Sequence, residues 1–87
     1  IPGSTNNLMD PILVQLQPGE TLGRTDPHPG EQFGYVLTGT ITVDINKTQL
    51  KVRPKHCFYF KSDTEHQISN RGNRVTTLLW VVTPPQM

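Results

Sequence analysis

The chain has 87 residues, a net charge of +1 and a single cysteine. That length sets one domain with a modest core. The scattered Lys and Arg form no basic stripe for a nucleic-acid surface, and no apolar run approaches the ~20 residues of a membrane span. Ile1-Pro2-Gly3-Ser4 lacks the charged start and apolar middle of a secretory signal. With one cysteine no internal disulfide forms, which points to a reducing cytoplasm. The chain begins at Ile1, not at a methionine, and is expected to be a piece of a longer protein.

Residues 1–9, IPGSTNNLM, are polar and rich in breakers, the composition of a linker or N-terminal arm; the domain is expected over residues 10–87. From there on, short runs of Val, Ile, Thr, Phe and Tyr alternate with Gly, Pro and Asn clusters, and no long stretch carries a 3.6-residue apolar period. This pattern predicts an all-β sandwich or barrel. Strands are predicted over residues 12–16, 20–24, 33–37, 40–45, 48–52, 57–60, 66–69 and 75–82. Gln17-Pro18-Gly19 reads as a Pro-Gly turn. Asn46-Lys47 is a two-residue hairpin link, where Asn tolerates positive φ. Arg71-Gly72-Asn73 supplies another bend, and Thr83-Pro84-Pro85 stops the last strand because proline gives nothing to the ladder.

Period-two alternation assigns faces. Ile41, Val43 and Ile45 share one side, which Leu50 and Val52 continue across the hairpin. In the strand after the Pro-Gly bend, Phe33, Tyr35 and Leu37 share one face, and Gln32, Gly34 and Val36 the other. Both faces are partly apolar, so cover is expected on both, one of them from a second subunit. Together with the small size, this predicts a homodimer.

The residues with chemistry to offer are His28, Gln32 and His66. Imidazole is the commonest protein ligand for transition metals. Asp26 and His28 point the same way in extended chain, and Gln32 returns beside His28 if the strands flanking the bend pair. Periodicity does not bring His66 near; that needs a fold. Phe58 and Phe60 share a face, as do Leu78, Trp80 and Val82, which sets Phe60 and Trp80 toward the interior. Cys57 reads as a small buried filler, His56 as a surface residue in a polar bend, and Arg24 and Glu31 as solvated charges near the mouth.

HPGEQFGYVLTG and HQISN resemble the two motifs of the cupins, small antiparallel β-barrels of the double-stranded β-helix or jelly-roll type with a ligand site inside. Asp26, His28, Gln32 and Gly39 fall on the first motif, and His66 and Asn70 on the second. MDPILVQLQPGE, HPGEQFGYVLTG, FYFKSDTEHQISN and LLWVVTPP, in that order, resemble the C-terminal sensor domain of bacterial regulators that join a phage-repressor-type (XRE) helix-turn-helix to a cupin. The departures carry information. Asp26 stands where the family has its first histidine, and Gln32 where it has a glutamate. Lys55 and His56 replace a glycine and an acidic residue, and Lys61 and Asp63 a proline and a glycine. A neutral glutamine carbonyl binds a divalent cation less well than a carboxylate. The metal set implied by the resemblance, Asp26, His28, Gln32 and His66, is therefore a weakened or lost site for a divalent transition metal.

The resemblance implies a domain that binds a small-molecule effector in a pocket of His28, Gln32, His66, Phe60 and Trp80 and forms a homodimer. DNA contact would come only through an upstream helix-turn-helix that this chain lacks, and there is no membrane role. The alternatives are a small metal-dependent cupin enzyme, such as a dioxygenase or isomerase, and a dimerisation domain with a fully packed interior. No GxSxG elbow, phosphate loop, GxGxxG or CxxC pair is present.

Overall fold

Alternating apolar residues bury one side of a strand, so eight short strands of this kind settle into two facing sheets. The computed structural model describes residues 11–83; the arm expected over residues 1–9 and the stop at Pro84-Pro85 lie outside them. The strands are β1 (Ile12–Leu16), β2 (Thr21–Leu22), β3 (Glu31–Thr38), β4 (Ile41–Ile45), β5 (Thr48–Val52), β6 (Cys57–Lys61), β7 (His66–Ser69) and β8 (Thr76–Thr83). They form two antiparallel four-stranded sheets, in the orders β1-β8-β3-β6 and β2-β7-β4-β5. This is the all-β jelly-roll architecture expected from the sequence. Among the described residues no helix is long and apolar enough to cross a membrane.

The turns follow the local chemistry. Glu20 N–H closes onto the Gln17 carbonyl at 3.0 Å with Gly19 at φ +86°, a type II turn with Pro18 at its first corner. Asn46 and Lys47 both take positive φ, the type I′ geometry that suits the twist of β4 and β5. β2 is shorter than predicted because Gly23 turns to φ +73° and leaves the ladder. β3 starts earlier than predicted because Glu31 and Gln32 already pair with Lys61 and Phe60 on one side and Thr83 and Val82 on the other.

Val36, Ile41, Val43, Ile68 and Leu78 are fully buried between the sheets, with Phe58, Phe60, Trp80 and Val82 beside them. Phe60 and Trp80 thus line the interior as predicted. One expectation fails here: Cys57 is exposed. Phe58 and Phe60 point inward, so strand alternation turns Cys57 and Tyr59 outward, and small size does not override that.

Candidate functional site at the barrel end

Gln32 reaches the interior because β3 alternates, and its position in the register decides what it meets. Trp80 on β8 lies opposite Gly34, one diagonal step from Gln32. The indole, whose far edge lies against Gly23, donates Nε1–H to Gln32 Oε1 at 3.0 Å. An indole N–H only donates, which fixes the orientation of the amide. The Gln32 nitrogen then donates to Ser62 Oγ and to His66 Nε2, each at 3.1 Å. His66 Nε2 is therefore an acceptor, and the ring proton sits on Nδ1, 2.8 Å from the Thr64 carbonyl. Trp80, Gln32, His66 and Thr64 form one directed chain of neutral hydrogen bonds.

The chain bridges the two sheets. Gln32 and Trp80 belong to one; His66, at the start of β7, belongs to the other, where its backbone pairs with Ile45 and its N–H bonds Thr25 O at 3.1 Å. His28 arrives differently from the expected hairpin. Residues 28–30 pair with Ser62 instead: His28 N–H to Ser62 O at 2.8 Å, and Ser62 N–H to Gly30 O at 2.9 Å. This sets the His28 ring 5.2 Å from the His66 ring, which in turn lies 5.2 Å from Phe60. His28 also donates Nδ1–H to the Asp26 carbonyl at 2.9 Å. Gln32 and His66 are each 2% exposed, while His28 is half-buried. The structure therefore brings His28, Gln32, His66, Phe60 and Trp80 together.

Asp26 faces the other way. Its carboxylate takes both Arg24 Nη2 and Nε, at 2.6 and 3.1 Å, on the surface, and this bonding holds its pKa down to about 2. A divalent transition metal needs several lone-pair donors free to converge. Here Gln32 commits its oxygen to the indole and aims its two N–H groups at Ser62 Oγ and at His66, whose Nε2 is thereby occupied. Among the described residues no three His, Cys, Asp or Glu side chains converge. The residues present do not fit a divalent cation: a carboxylate in place of the amide would supply a charge and a lone pair, and glutamine supplies hydrogens.

Ser62 and the Thr64 carbonyl are parts of the site that sequence reasoning missed. Continuing the inward series Phe58, Phe60 by one more step reaches Ser62, which is fully buried. Asn70, a motif residue, works as a brace: its Nδ2 donates to the Leu16 and Arg74 carbonyls at 2.9 and 2.7 Å, and its Oδ1 takes Gly72 N–H at 2.9 Å. Outside the network, a cleft of roughly 260 Å³ opens at the same end of the molecule. Thr25, Asp44, Asn46, Lys47, Glu65 and Gln67 line it, and His66 is its buried member.

The description Cupin_2: Cupin domain matches residues 12–82. The chain is 28% identical over 82 residues to the HTH-type transcriptional regulator PuuR of Escherichia coli (strain K12), an alignment covering 94% of this chain and 44% of that protein. It thus spans less than half the length of the curated relatives it matches, the PuuR of Shigella flexneri among them. The Cupin_2 domain of an XRE family transcriptional regulator from Enterobacter cloacae superposes with a TM-score of 0.80 at 18% identity, over 99% of this chain and 92% of that one; that likeness is one of fold. A protein of Bacillus halodurans is 28% identical with a TM-score of 0.78, over 91% and 64% of the two chains. A sugar phosphate isomerase from a cupin superfamily, from Silicibacter pomeroyi, is 26% identical with a TM-score of 0.77, over 91% and 52%.

Proposed function

We propose that this chain, which belongs to the Cupin_2 family of cupin domains, is the effector-sensing and dimerisation domain of a helix-turn-helix transcriptional regulator. One observation carries the reading: the interior polar site is built to recognise, not to react. The Trp80–Gln32–His66 chain is neutral and fully hydrogen-bonded, and it lies behind the half-buried His28 and a polar cleft. Buried polar groups cost several kcal/mol unless paired, and a paired network holds its donors and acceptors in one arrangement. Such a set fixes the wall behind His28 in one shape, against which a small molecule is read. The similarity to regulators over nearly the whole chain supports the same role.

In this reading a small effector meets His28 at the barrel end, in front of His66, and shifts the pairing of two domains. It can do so only through different affinity for the two arrangements. DNA contact falls to a helix-turn-helix outside the present chain, whose half-site spacing the dimer sets. A metal-dependent enzyme needs an open metal position held by several protein ligands, and the amide at Gln32 works against that alternative.

Thermal shift against a panel of small acids, amines and sugars tests the reading. At least one compound is expected to raise the melting temperature in a saturable way, and His28→Ala to weaken it about tenfold or more while leaving the fold intact. Every hit binding His28→Ala as tightly as the native chain would contradict the assignment of the site.

A further inference from the structure

The outer face of the β2-β7-β4-β5 sheet carries a polar cleft apart from the barrel end. His66 and Ile68 are buried inside, so strand alternation turns Gln67 and Ser69 outward. Thr21, Ser69 and Thr42 stand level across β2, β7 and β4, with Gln67 and Asp44 in the next row. Ser69 is nevertheless only 6% exposed, and among the described residues its Oγ is the one buried side-chain polar atom with no hydrogen-bond partner. An unpaired buried hydroxyl is unfavourable, so a group that pairs with it gains more than it would at an open surface. Ser69 lines a cleft of roughly 360 Å³ with Thr21, Gln67, Asn70 and Arg71, and with Gly19 and Gly72 at its edge.

We propose that this cleft binds the phosphate group of a small phosphate ester. The groups it has left to offer are donors. Gly19 N–H is spent on Asn70 O at 2.7 Å and Gly72 N–H on Asn70 Oδ1 at 2.9 Å. Thr21 Oγ1 accepts from Gln67 Nε2 at 3.3 Å and keeps its own proton to donate. Arg71 gives one N–H to Asp44 Oδ2 at 2.9 Å and has further N–H groups in the same planar fork. Arg71 is also the charged residue of the lining, and no carboxylate stands in it. A phosphate brings only acceptors to such a set, and the guanidinium fork matches its oxygens. The cleft has more room than one phosphate fills, which leaves space for the rest of an ester. Arg71 lies beyond the end of β7 and returns along the outer face to Asp44, so its side chain runs past Ser69. It has no acceptor to give the hydroxyl, which is closed off from solvent in this arrangement. Phosphate draws the guanidinium away from Asp44 and opens Ser69 Oγ–H to a partner. Asp44 therefore competes for Arg71, while its other oxygen is held by Gln49 at 3.0 Å. The site is separate from the barrel end and does not depend on the sensing reading.

Amide NMR of the chain titrated at low salt with glycerol phosphate and, separately, with inorganic phosphate tests this. Saturable shifts are expected at Thr21, Ser69, Arg71 and Gly72, with Kd on the order of millimolar for a site on one arginine. The ester should bind at least as tightly as inorganic phosphate. Arg71→Gln should weaken binding about tenfold or more, and Ser69→Ala about threefold or more. Ser69→Ala should not lower the melting temperature of the free chain, because its hydroxyl has no bond there to lose. Asp44→Asn should tighten binding, since it releases Arg71 and removes a competing charge. Lys61→Gln, on the other sheet, should change it by less than about twofold. Ester binding to Ser69→Ala as tight as to the native chain would overturn the proposal. So would a loss in Lys61→Gln as large as in Arg71→Gln, weaker binding by Asp44→Asn, or inorganic phosphate bound with the ester excluded.

Discussion

Gln32→Leu is expected to destabilise the fold by about 2–4 kcal/mol. Leucine fills a similar volume, so the cavity contribution is small and the loss is one of partners. The substitution strips Trp80 Nε1–H, Ser62 Oγ and His66 Nε2 of the group that joins them. Each buried polar atom left alone costs about 1–3 kcal/mol, and the extra apolar surface of leucine offsets part of the sum. For a domain of this size the melting temperature should drop by roughly 10–25 °C. Trp80→Phe removes one donor and leaves only Gln32 Oε1 without its partner, so it should cost less in polar terms. Because the two residues share one network, the double variant should depart from additivity by about 0.5–3 kcal/mol. Denaturant unfolding of the four proteins measures this directly; additive losses would mean that the chain of bonds contributes nothing beyond packing.

Gly34→Ala is expected to cost about 2–3 kcal/mol even though it adds a single methyl group. A Cβ at Gly34 would overlap the Phe58 ring. That ring is buried and stacked on Phe60 at 6.0 Å, so it has little room to retreat, and overpacking of a filled core is strongly unfavourable. Displacement would also spread through Phe60 to His66, which lies 5.2 Å from that ring. Gly19→Ala is the comparison. A Cβ there meets nothing within 4 Å, but φ is +86°, so only the backbone conformation opposes it, at about 1 kcal/mol. Equal stability losses at Gly34 and Gly19 would contradict this account of the inner face.

Much of this fold is legible in local pattern. Two-residue alternation alone groups Ile41 with Val43, Phe58 with Phe60 and Leu78 with Trp80, and Asn46-Lys47 announces its hairpin through the φ that Asn accepts; in β3, with both faces partly apolar, it did not say that Val36 goes in and Phe33 out. The same rule assigns Cys57 to the surface. The buried-filler reading of Cys57 went wrong by weighing the residue's size above the direction of its neighbours. The site was legible only in part. His66 and Gln32 lie on different sheets, and their meeting depends on the stacking of one sheet over the other, which no local period encodes. Likeness to the family motifs supplied that pairing. What the motif could not supply is the role of Gln32. Read as a poor ligand, it is a residue that lost a charge. Seen with Trp80 and Ser62, it is the hub that holds both sheets together at one end, because an amide can accept from an indole and donate to an imidazole at once. Asp26 shows the converse: proximity in the motif did not bring it inward, since Arg24 offers a stronger partner in water-exposed reach.

Long-range proton–nitrogen NMR of the His66 ring, recorded with and without one equivalent of zinc, tests this arrangement most directly. The hydrogen-bond chain predicts a neutral ring with its proton on Nδ1 and a bare Nε2, unchanged when zinc is added. A ring protonated at Nε2, or an Nε2 resonance that moves or vanishes with stoichiometric zinc, would show that Gln32 does not hold His66 and that the barrel end is a metal site after all.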